Sequence, residues 1–180
     1  MEKTEKEIRL HILSPRKNKY IRIIKGTSWD AGCECYFFDT KKGGLKLYNN
    51  KREARNAFSR QKMANKKGLA PDVLSEDLIT IDLKNNDCKE FFKEGHEDDD
   101  SRSRMSRKIH GYYTEKVKIL MDLPWGERPD YDEDRDDLKV RLSNLYRGKE
   151  FKDLRTCNIG IKKGKLVAID FGKYSFEREY

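Results

Sequence analysis

The feature that most limits the possible folds is a stretch near the end of the sequence in which two apolar runs enclose a basic turn. The runs are residues 159–161 (Ile-Gly-Ile) and 166–169 (Leu-Val-Ala-Ile), and the turn is 162–165 (Lys-Lys-Gly-Lys). Two β-type runs around a glycine-containing turn predict a β-hairpin. Asn158 precedes the first run and Asp170 follows the second, so antiparallel pairing would bring both to one end of the hairpin.

The rest of the sequence predicts an α+β protein with one antiparallel sheet and two helices. β-rich runs predict strands at residues 20–24, 33–38, 45–48, 78–83 and 112–120, and helical spacing predicts helices at 52–67 and 134–147. The first three strands are joined by short, turn-rich segments, so we expect an antiparallel meander. The sheet would have about five strands and one packed helix, and the second helix and the hairpin would follow.

Both helices carry the signals of a buried face and a defined end. Asn50 is placed to cap the first helix and Gly68 to end it, and Gly148 is placed to end the second. The side chains that share one side of the first helix are Ala54, Ala57, Phe58, Gln61 and Ala64. The matching stripe of the second helix consists of Leu138, Arg141, Leu142, Leu145 and Tyr146.

Composition divides the chain into three parts. Residues 1–19 are polar and predict a loose arm, residues 20–120 hold the sheet and the first helix, and residues 121–180 hold the second helix and the hairpin. The middle part contains a charged insertion at 84–110, where an acidic run adjoins a basic run. Such opposite blocks are typical of a solvated loop. A nucleic-acid or phosphorylation site is the alternative for this loop.

The charge balance favours polyanionic partners. The net charge is +8 and the pI is about 9.2, which suits nucleic acid, nucleotide phosphates or an acidic protein. A soluble, lysine-rich surface explains the same balance equally well. Charge alone therefore does not separate an ATP enzyme from a nucleic-acid binder.

Cysteine usage and hydropathy indicate the cellular compartment. The four cysteines have the spacing of neither a zinc ribbon nor a disulfide framework, so we expect free thiols in a reducing compartment. No apolar run reaches the roughly 18 residues that a bilayer requires. The amino terminus is charged, unlike a signal peptide. We therefore expect a cytoplasmic protein with no membrane partner.

Two acidic motifs flank the predicted hairpin. Residues 153–158 read Asp-Leu-Arg-Thr-Cys-Asn, and residues 170–172 read Asp-Phe-Gly. Phosphoryl transfer from ATP needs a carboxylate near the attacking hydroxyl and oxygen ligands for magnesium. Mg²⁺ prefers carboxylate and amide oxygens. The two motifs would supply both kinds of group from adjacent backbone segments.

Residues 151–172 resemble the catalytic and metal-binding loops of the protein-kinase-like fold. The resemblance implies that Asp153 is the catalytic aspartate and that Asn158 and Asp170 are the magnesium ligands. Phe171 and Gly172 would complete the Asp-Phe-Gly turn. On this basis residues 20–120 would form an amino-terminal lobe and residues 121–180 a reduced carboxy-terminal lobe.

The same resemblance assigns roles to the upstream residues. Lys46 matches the strand lysine that holds the α- and β-phosphates of ATP, and an exposed strand lysine is the alternative reading. Its partner on the first helix would be Gln61 in preference to Glu53, which lies near the helix start. Gln61, together with residues 68–71 (Gly-Leu-Ala-Pro), looks similar to small kinase-like proteins of phages and bacteria.

The resemblance also implies a place for the nucleotide. Gly26 and Gly32 would belong to the phosphate-covering loop, although their spacing is not G-x-G-x-x-G. Thr114 would stand at the start of the segment that binds adenine, and Glu115 and Val117 would offer backbone groups to the base. An ordinary strand at this place is the alternative.

The departures from the family pattern define the competing functions. Phe151 and Lys152 replace the usual His-Arg before Asp153, and no activation segment follows Gly172 in this sequence. We expect a minimal kinase-like module, a truncated form or a pseudokinase.

The leading hypothesis is an ATP- and Mg²⁺-dependent phosphotransferase that acts on a Ser/Thr hydroxyl of a protein, with residues 101–106 as one candidate acceptor region. The first alternative is an inactive kinase-like binding protein. The second is a nucleic-acid binder that uses the basic run 102–108, whose cationic side chains are Arg102, Arg104, Arg107 and Lys108.

Overall fold

The computed structural model places the described residues in two compact units. It describes residues 7–12, 19–24, 35–82, 108–124, 126, 131–172 and 175–176. The first unit comprises Met1–Arg55 and Leu74–Thr114, and the second comprises Asn56–Val73 and Glu115–Tyr180. The described residues form antiparallel sheets and two α-helices, so the expected α+β class is confirmed.

A six-stranded antiparallel sheet makes up most of the described part of the first unit. Its strands are β1 (Glu7–Ile12), β2 (Lys19–Ile24), β3 (Tyr36–Thr40), β4 (Gly43–Tyr48), β5 (Ile79–Asp82) and β6 (Lys108–Thr114). The order across the sheet is β2-β1-β5-β6-β4-β3. Strand β4 lies between β3 and β6, and its buried residues extend from Gly44 to Tyr48.

The predicted meander is wrong in one respect. Strands β3 and β4 pair as a hairpin, but β2 pairs with β1 instead of β3. Strand β1 lies within residues 1–19, for which the sequence predicted a polar arm. The predicted strand at 112–120 is also divided, because β6 ends at Thr114 and a separate strand, β7, begins at Lys118.

Helix α1 (Lys51–Asn65) has the predicted cap, buried face and end. The backbone N–H of Arg52 donates to Oδ1 of Asn50 at 2.8 Å, which satisfies one of the otherwise unpaired donors of the first turn. At the other end Gly68 has a φ of +70°, and the N–H of Leu69 donates to the carbonyl of Ala64. The residues predicted to face the core are fully buried, except for a half-buried Phe58; the buried members are Ala54, Ala57, Gln61 and Ala64.

The second unit contains helix α2 (Tyr131–Leu145) and a three-stranded sheet of order β7-β8-β9. Strand β7 is Lys118–Ile119, and the predicted hairpin consists of β8 (Ile159–Lys162) and β9 (Lys165–Ala168). Lys163 and Gly164 form its turn with φ values of 52° and 76°. Positive φ at both central residues is the mark of a type I′ turn, which matches the twist of the strands.

Helix α2 begins three residues earlier than the sequence predicted. Leu138 and Leu142 are buried as expected. Arg141 is exposed and pairs with Asp137 at 3.3 Å, so the prediction that it belongs to the buried stripe is wrong. No helix within the described part of the chain is both long and apolar enough to cross a membrane.

Candidate active site

The β8–β9 hairpin brings Asn158 and Asp170 to the same end of the small sheet. Ile159 pairs with Ala168, and one residue beyond this pair the N–H of Ile169 donates to the carbonyl oxygen of Asn158 at 3.0 Å. Asp170 is the next residue along the chain, two positions beyond the end of β9. The two side chains that the sequence predicted as magnesium ligands therefore extend from neighbouring backbone segments.

One atom of the Asn158 side-chain amide has no hydrogen-bond partner among the described residues. Its Nδ2 is buried and forms no hydrogen bond with any residue that the structure describes. An unsatisfied buried polar group costs about 1–3 kcal/mol, and ordered water or a bound ion normally satisfies it. Rotating the amide by half a turn would place its oxygen at the same position, and which atom occupies it is an assignment. The position therefore suits an oxygen ligand of a cation.

Asp170 is half-buried, and local hydrogen bonds fix its backbone. Oδ1 accepts the N–H of Gly172 at 3.0 Å, and the Asp170 carbonyl accepts the hydroxyl of Ser175 at 3.1 Å. Oδ2 takes part in no hydrogen bond among the described residues. One carboxylate oxygen thus shapes the turn while the other remains available for a ligand.

The donor set of this site suits magnesium bound together with phosphates. In the described parts of the chain, no three His, Cys, Asp or Glu side chains form a metal cluster. Mg²⁺ is usually held by one or two carboxylates with the remaining positions filled by water and substrate phosphates. Asp170 and the amide of Asn158 meet that requirement, whereas a site built wholly from protein ligands would not be expected from them.

Asp153 is buried and forms a bidentate salt bridge with Arg155. Nε of Arg155 donates to Oδ1 at 2.7 Å, and its Nη2 donates to Oδ2 at 3.1 Å. These hydrogen bonds, and then the charge of Asp153, raise the pKa of the Arg155 guanidinium; smaller contributions come from Cys157 and Asp170. Asp170 therefore lies within electrostatic range of the same guanidinium. The sequence analysis assigned no role to Arg155.

An aromatic cluster ties the segment that carries Asp153 to the segment that follows Asp170. The ring of Phe151 is 5.8 Å from that of Phe171 and 5.1 Å from that of Phe176, with edge-to-face geometry in both pairs. The N–H of Lys152 also donates to the carbonyl of Ser175 at 2.8 Å. These contacts hold the predicted catalytic aspartate beside the predicted metal-binding turn.

A polar cluster near β8 engages Glu115. The Lys162 ammonium lies 2.6 Å from Oδ1 of Asp72 and 2.8 Å from Oε2 of Glu115. Burial alone would lower the pKa of Lys162, but the hydrogen bonds to Asp72 and Glu115 raise it. Hydrogen bonds from Lys162 and then Asn65 lower the pKa of Asp72.

The two residues predicted to bind adenine differ in their backbone bonding. The N–H of Glu115 donates to the carbonyl of Asp72 at 2.7 Å, so it is committed within the second unit. Val117 is half-buried, and its backbone takes part in none of the turn and loop hydrogen bonds among the described residues. Its role in binding adenine stays a prediction.

Lys46 belongs to the first unit, where strand β4 places it among buried residues. Only 5% of it is exposed, and its ammonium is 5.9 Å from the centre of the Tyr112 ring. Gln61, its predicted partner, belongs to the second unit. Nε2 of Gln61 donates to the carbonyl of Pro71 at 3.2 Å. The pairing of Lys46 with Gln61 stays a prediction.

Several predicted residues lie outside the part of the chain that the structure describes. They are Gly26, Gly32, Arg102, Arg104 and Arg107, together with the candidate acceptor region 101–106. Lys108 is described, and it is exposed at the start of β6. The phosphate-covering loop and the basic run therefore remain sequence predictions.

No family model matches the chain, and no curated protein matches it. The function is therefore inferred from the geometry of the second unit.

Proposed function

We propose that this chain is a minimal kinase-like phosphotransferase whose second unit carries the site for ATP and Mg²⁺. The observation that supports this most directly is the end of the β8–β9 hairpin, from which Asn158 and Asp170 extend on neighbouring backbone segments. Among the described residues, Nδ2 of Asn158 and Oδ2 of Asp170 form no hydrogen bond. Asp153 is tied to the same region through aromatic packing. The acceptor would be a Ser or Thr hydroxyl of a protein.

Each residue of the site has a distinct task in this proposal. Oδ2 of Asp170 and the amide oxygen of Asn158 would hold magnesium. The bound ion would neutralise phosphate charge and so lower the barrier to transfer. A carboxylate has about four lone-pair positions, and Arg155 uses two of those on Asp153. The remaining positions can accept the proton of the attacking hydroxyl or orient that hydroxyl.

The proposal extends to the fold and to the nucleotide-binding residues. The first unit would correspond to a kinase-like amino-terminal lobe, and the second to a reduced carboxy-terminal lobe. Lys46 would bind ATP phosphates, supported by Gln61, and the backbone of Glu115 and Val117 would contact adenine.

The decisive experiment is transfer of labelled γ-phosphate from ATP with and without Mg²⁺. The variants are Asp153→Asn and Asp170→Asn, which preserve side-chain shape, and the matched control is Asp122→Asn, an exposed aspartate of the same unit. We expect Asp153→Asn to lower the rate at least about 100-fold, the lower range for a lost general base. Asp170→Asn should abolish the magnesium-dependent transfer, and Asp122→Asn should match the wild type.

The alternative of an inactive kinase-like protein has one supporting observation, since Arg155 engages both oxygens of Asp153. In that case ADP would bind with a requirement for Asp170, but no label would be transferred. Absence of both transfer and nucleotide binding in the folded wild type would refute the proposal. Steeply salt-dependent binding to RNA would then favour the basic binding module.

A further inference from the structure

Arg60 links helix α1 to the Asp-Phe-Gly turn within the second unit. Its Nη1 donates to the carbonyl oxygen of Phe171 at 3.3 Å and to that of Gly172 at 3.0 Å. Hydrogen bonds from a charged donor are about twice as strong as neutral ones. One guanidinium therefore holds two consecutive carbonyls immediately after Asp170.

The guanidinium of Arg60 is itself held from two sides. Its central carbon lies 4.3 Å from the centre of the Phe176 ring, which is within range of a cation–π contact. The hydroxyl of Tyr146 donates to the backbone carbonyl of Arg60 at 2.7 Å. Burial raises the pKa of Tyr146, so this hydroxyl stays protonated as a donor. Arg60 is thus fixed at its backbone and at its side chain.

We propose that Arg60 is a positioning residue, which sets the direction of the Asp170 carboxylate by fixing the backbone of the turn. The inference rests on the proposed function, because it concerns the same metal-binding carboxylate. Oδ1 of Asp170 bonds the N–H of Gly172, while the carbonyl of Gly172 bonds Arg60. Loss of the Arg60 side chain would let the peptide group of Gly172 rotate, and the Asp170 carboxylate that is hydrogen-bonded to its N–H would rotate with it. Residues that orient metal ligands typically change metal affinity by about 10–100-fold when they are lost.

The test measures how tightly Mn²⁺ binds in the presence of ADP. The concentration of free Mn²⁺ is read from its electron paramagnetic resonance signal. The variants are Arg60→Met and Arg60→Lys. The matched control is Arg55→Met, which removes an exposed arginine of the same helix. We expect at least about 10-fold weaker Mn²⁺ binding for Arg60→Met. Arg60→Lys should be intermediate because it keeps a charged donor but loses the planar contact with Phe176. The control should equal the wild type.

Two further readouts separate positioning from general stability. The affinity for ADP without metal should be unchanged in the Arg60 variants. A merely structural defect would instead weaken both the binding of ADP and the binding of Mn²⁺. Amide hydrogen exchange at Gly172, measured without metal, should be faster in Arg60→Met and unchanged in Arg55→Met. If Arg60→Met does not fold, the same comparison is made with Arg60→Lys.

The outcomes distinguish the two proposals. Wild-type Mn²⁺ affinity in a folded Arg60 variant would overturn the positioning role and leave the proposed function intact. If the wild type binds no Mn²⁺ with ADP, the proposed function fails. In that case only the amide exchange rate at Gly172 tests the positioning role. An equal rate in Arg60→Met and the wild type would refute it.

Discussion

Replacing Gly160 with alanine should destabilise the second unit through steric overlap with two neighbouring side chains. Gly160 lies in β8, and a Cβ at this position would overlap Cγ2 of Val117 and lie 2.9 Å from Cγ2 of Ile169. The φ of Gly160 is outside the left-handed region, so alanine meets no backbone strain there. The cost is therefore steric, and it depends on the two neighbouring side chains.

The expected magnitude follows from two opposing effects. Overpacking of a filled site lowers the free energy of unfolding by about 1–3 kcal/mol. Alanine also reduces the conformational entropy of the unfolded chain, which raises the free energy of unfolding by about 0.4–1 kcal/mol. The overlap with Val117 is too close for small side-chain shifts to relieve it, so overpacking should dominate. We expect a net loss of about 1–2 kcal/mol. For a chain of this size, this corresponds to a melting temperature lower by about 2–8 °C.

A double-mutant cycle tests the stated cause. Val117→Ala removes the overlapping methyl group, so Gly160→Ala should cost about 1 kcal/mol less in that background, a typical coupling for residues in contact. Stability would be measured by urea unfolding with circular dichroism. Gly126→Ala is the control, because a Cβ there meets no atom within 4 Å. Equal costs of Gly160→Ala in both backgrounds would refute the reasoning.

Two other substitutions test the polar cluster and the large sheet. Lys162→Met removes the partner that lowers the pKa of Asp72 below 3.8. The ionised carboxylate of Asp72 therefore stabilises the folded state above pH 3.8. This contribution is lost as the pH falls through the pKa of Asp72 in the folded state, because the carboxylate becomes protonated. Urea unfolding at several pH values should show that the wild type is more stable than Lys162→Met near neutrality and that the gap narrows below about pH 4; a constant gap would contradict this. Gly111→Ala would place a Cβ against the backbone oxygen of Lys46. We expect a loss of about 3 kcal/mol or more in thermal unfolding, since backbone cannot yield without breaking the β4–β6 pairing. A loss below about 1 kcal/mol would argue against this register.

The features that sequence could predict are those set by neighbouring residues. The cap at Asn50 and the left-handed Gly68 each involve atoms a few positions apart. The type I′ turn at Lys163 and Gly164 depends on local backbone preference in the same way. Such local preferences act wherever the segment lies in the fold. This explains why the cap, the helix end and the hairpin turn were predicted correctly, whereas the partner of β2 was not.

The errors came from contacts between distant parts of the chain. Strand β2 was expected beside β3, but its partner is β1, and β1 in turn pairs with β5 through Ile12 and Ile81. Nothing in the composition of residues 1–19 separates a polar arm from a strand that pairs on both sides. Arg141 was placed on the buried stripe because spacing alone does not reveal that its charge finds Asp137 at the surface.

In the candidate site, too, local features were predicted and distant contacts were missed. The sequence identified the acidic residues but not the arginines that contact them or their neighbouring backbone. Arg155 could have been noticed, because it stands two positions after Asp153 within the same motif. Arg60 carried no such signal. It lies beside the buried stripe of α1, and its partners Phe171 and Gly172 are more than 100 positions away.

Two interactions hold Asp153, and their magnitudes assign them different tasks. The guanidinium of Arg155 is 68% exposed, and ion pairs at such positions contribute about 0–1 kcal/mol. Phe151 and Phe171 are fully buried in one cluster, and losing a buried phenylalanine costs about 3–5 kcal/mol. The aromatic cluster must therefore fix where the segment runs, because the salt bridge is too weak to do so. The salt bridge then selects the orientation of the carboxylate within that fixed segment. A hydroxyl donor can therefore replace Arg155 at this carboxylate at little cost, without moving the segment that carries Asp153.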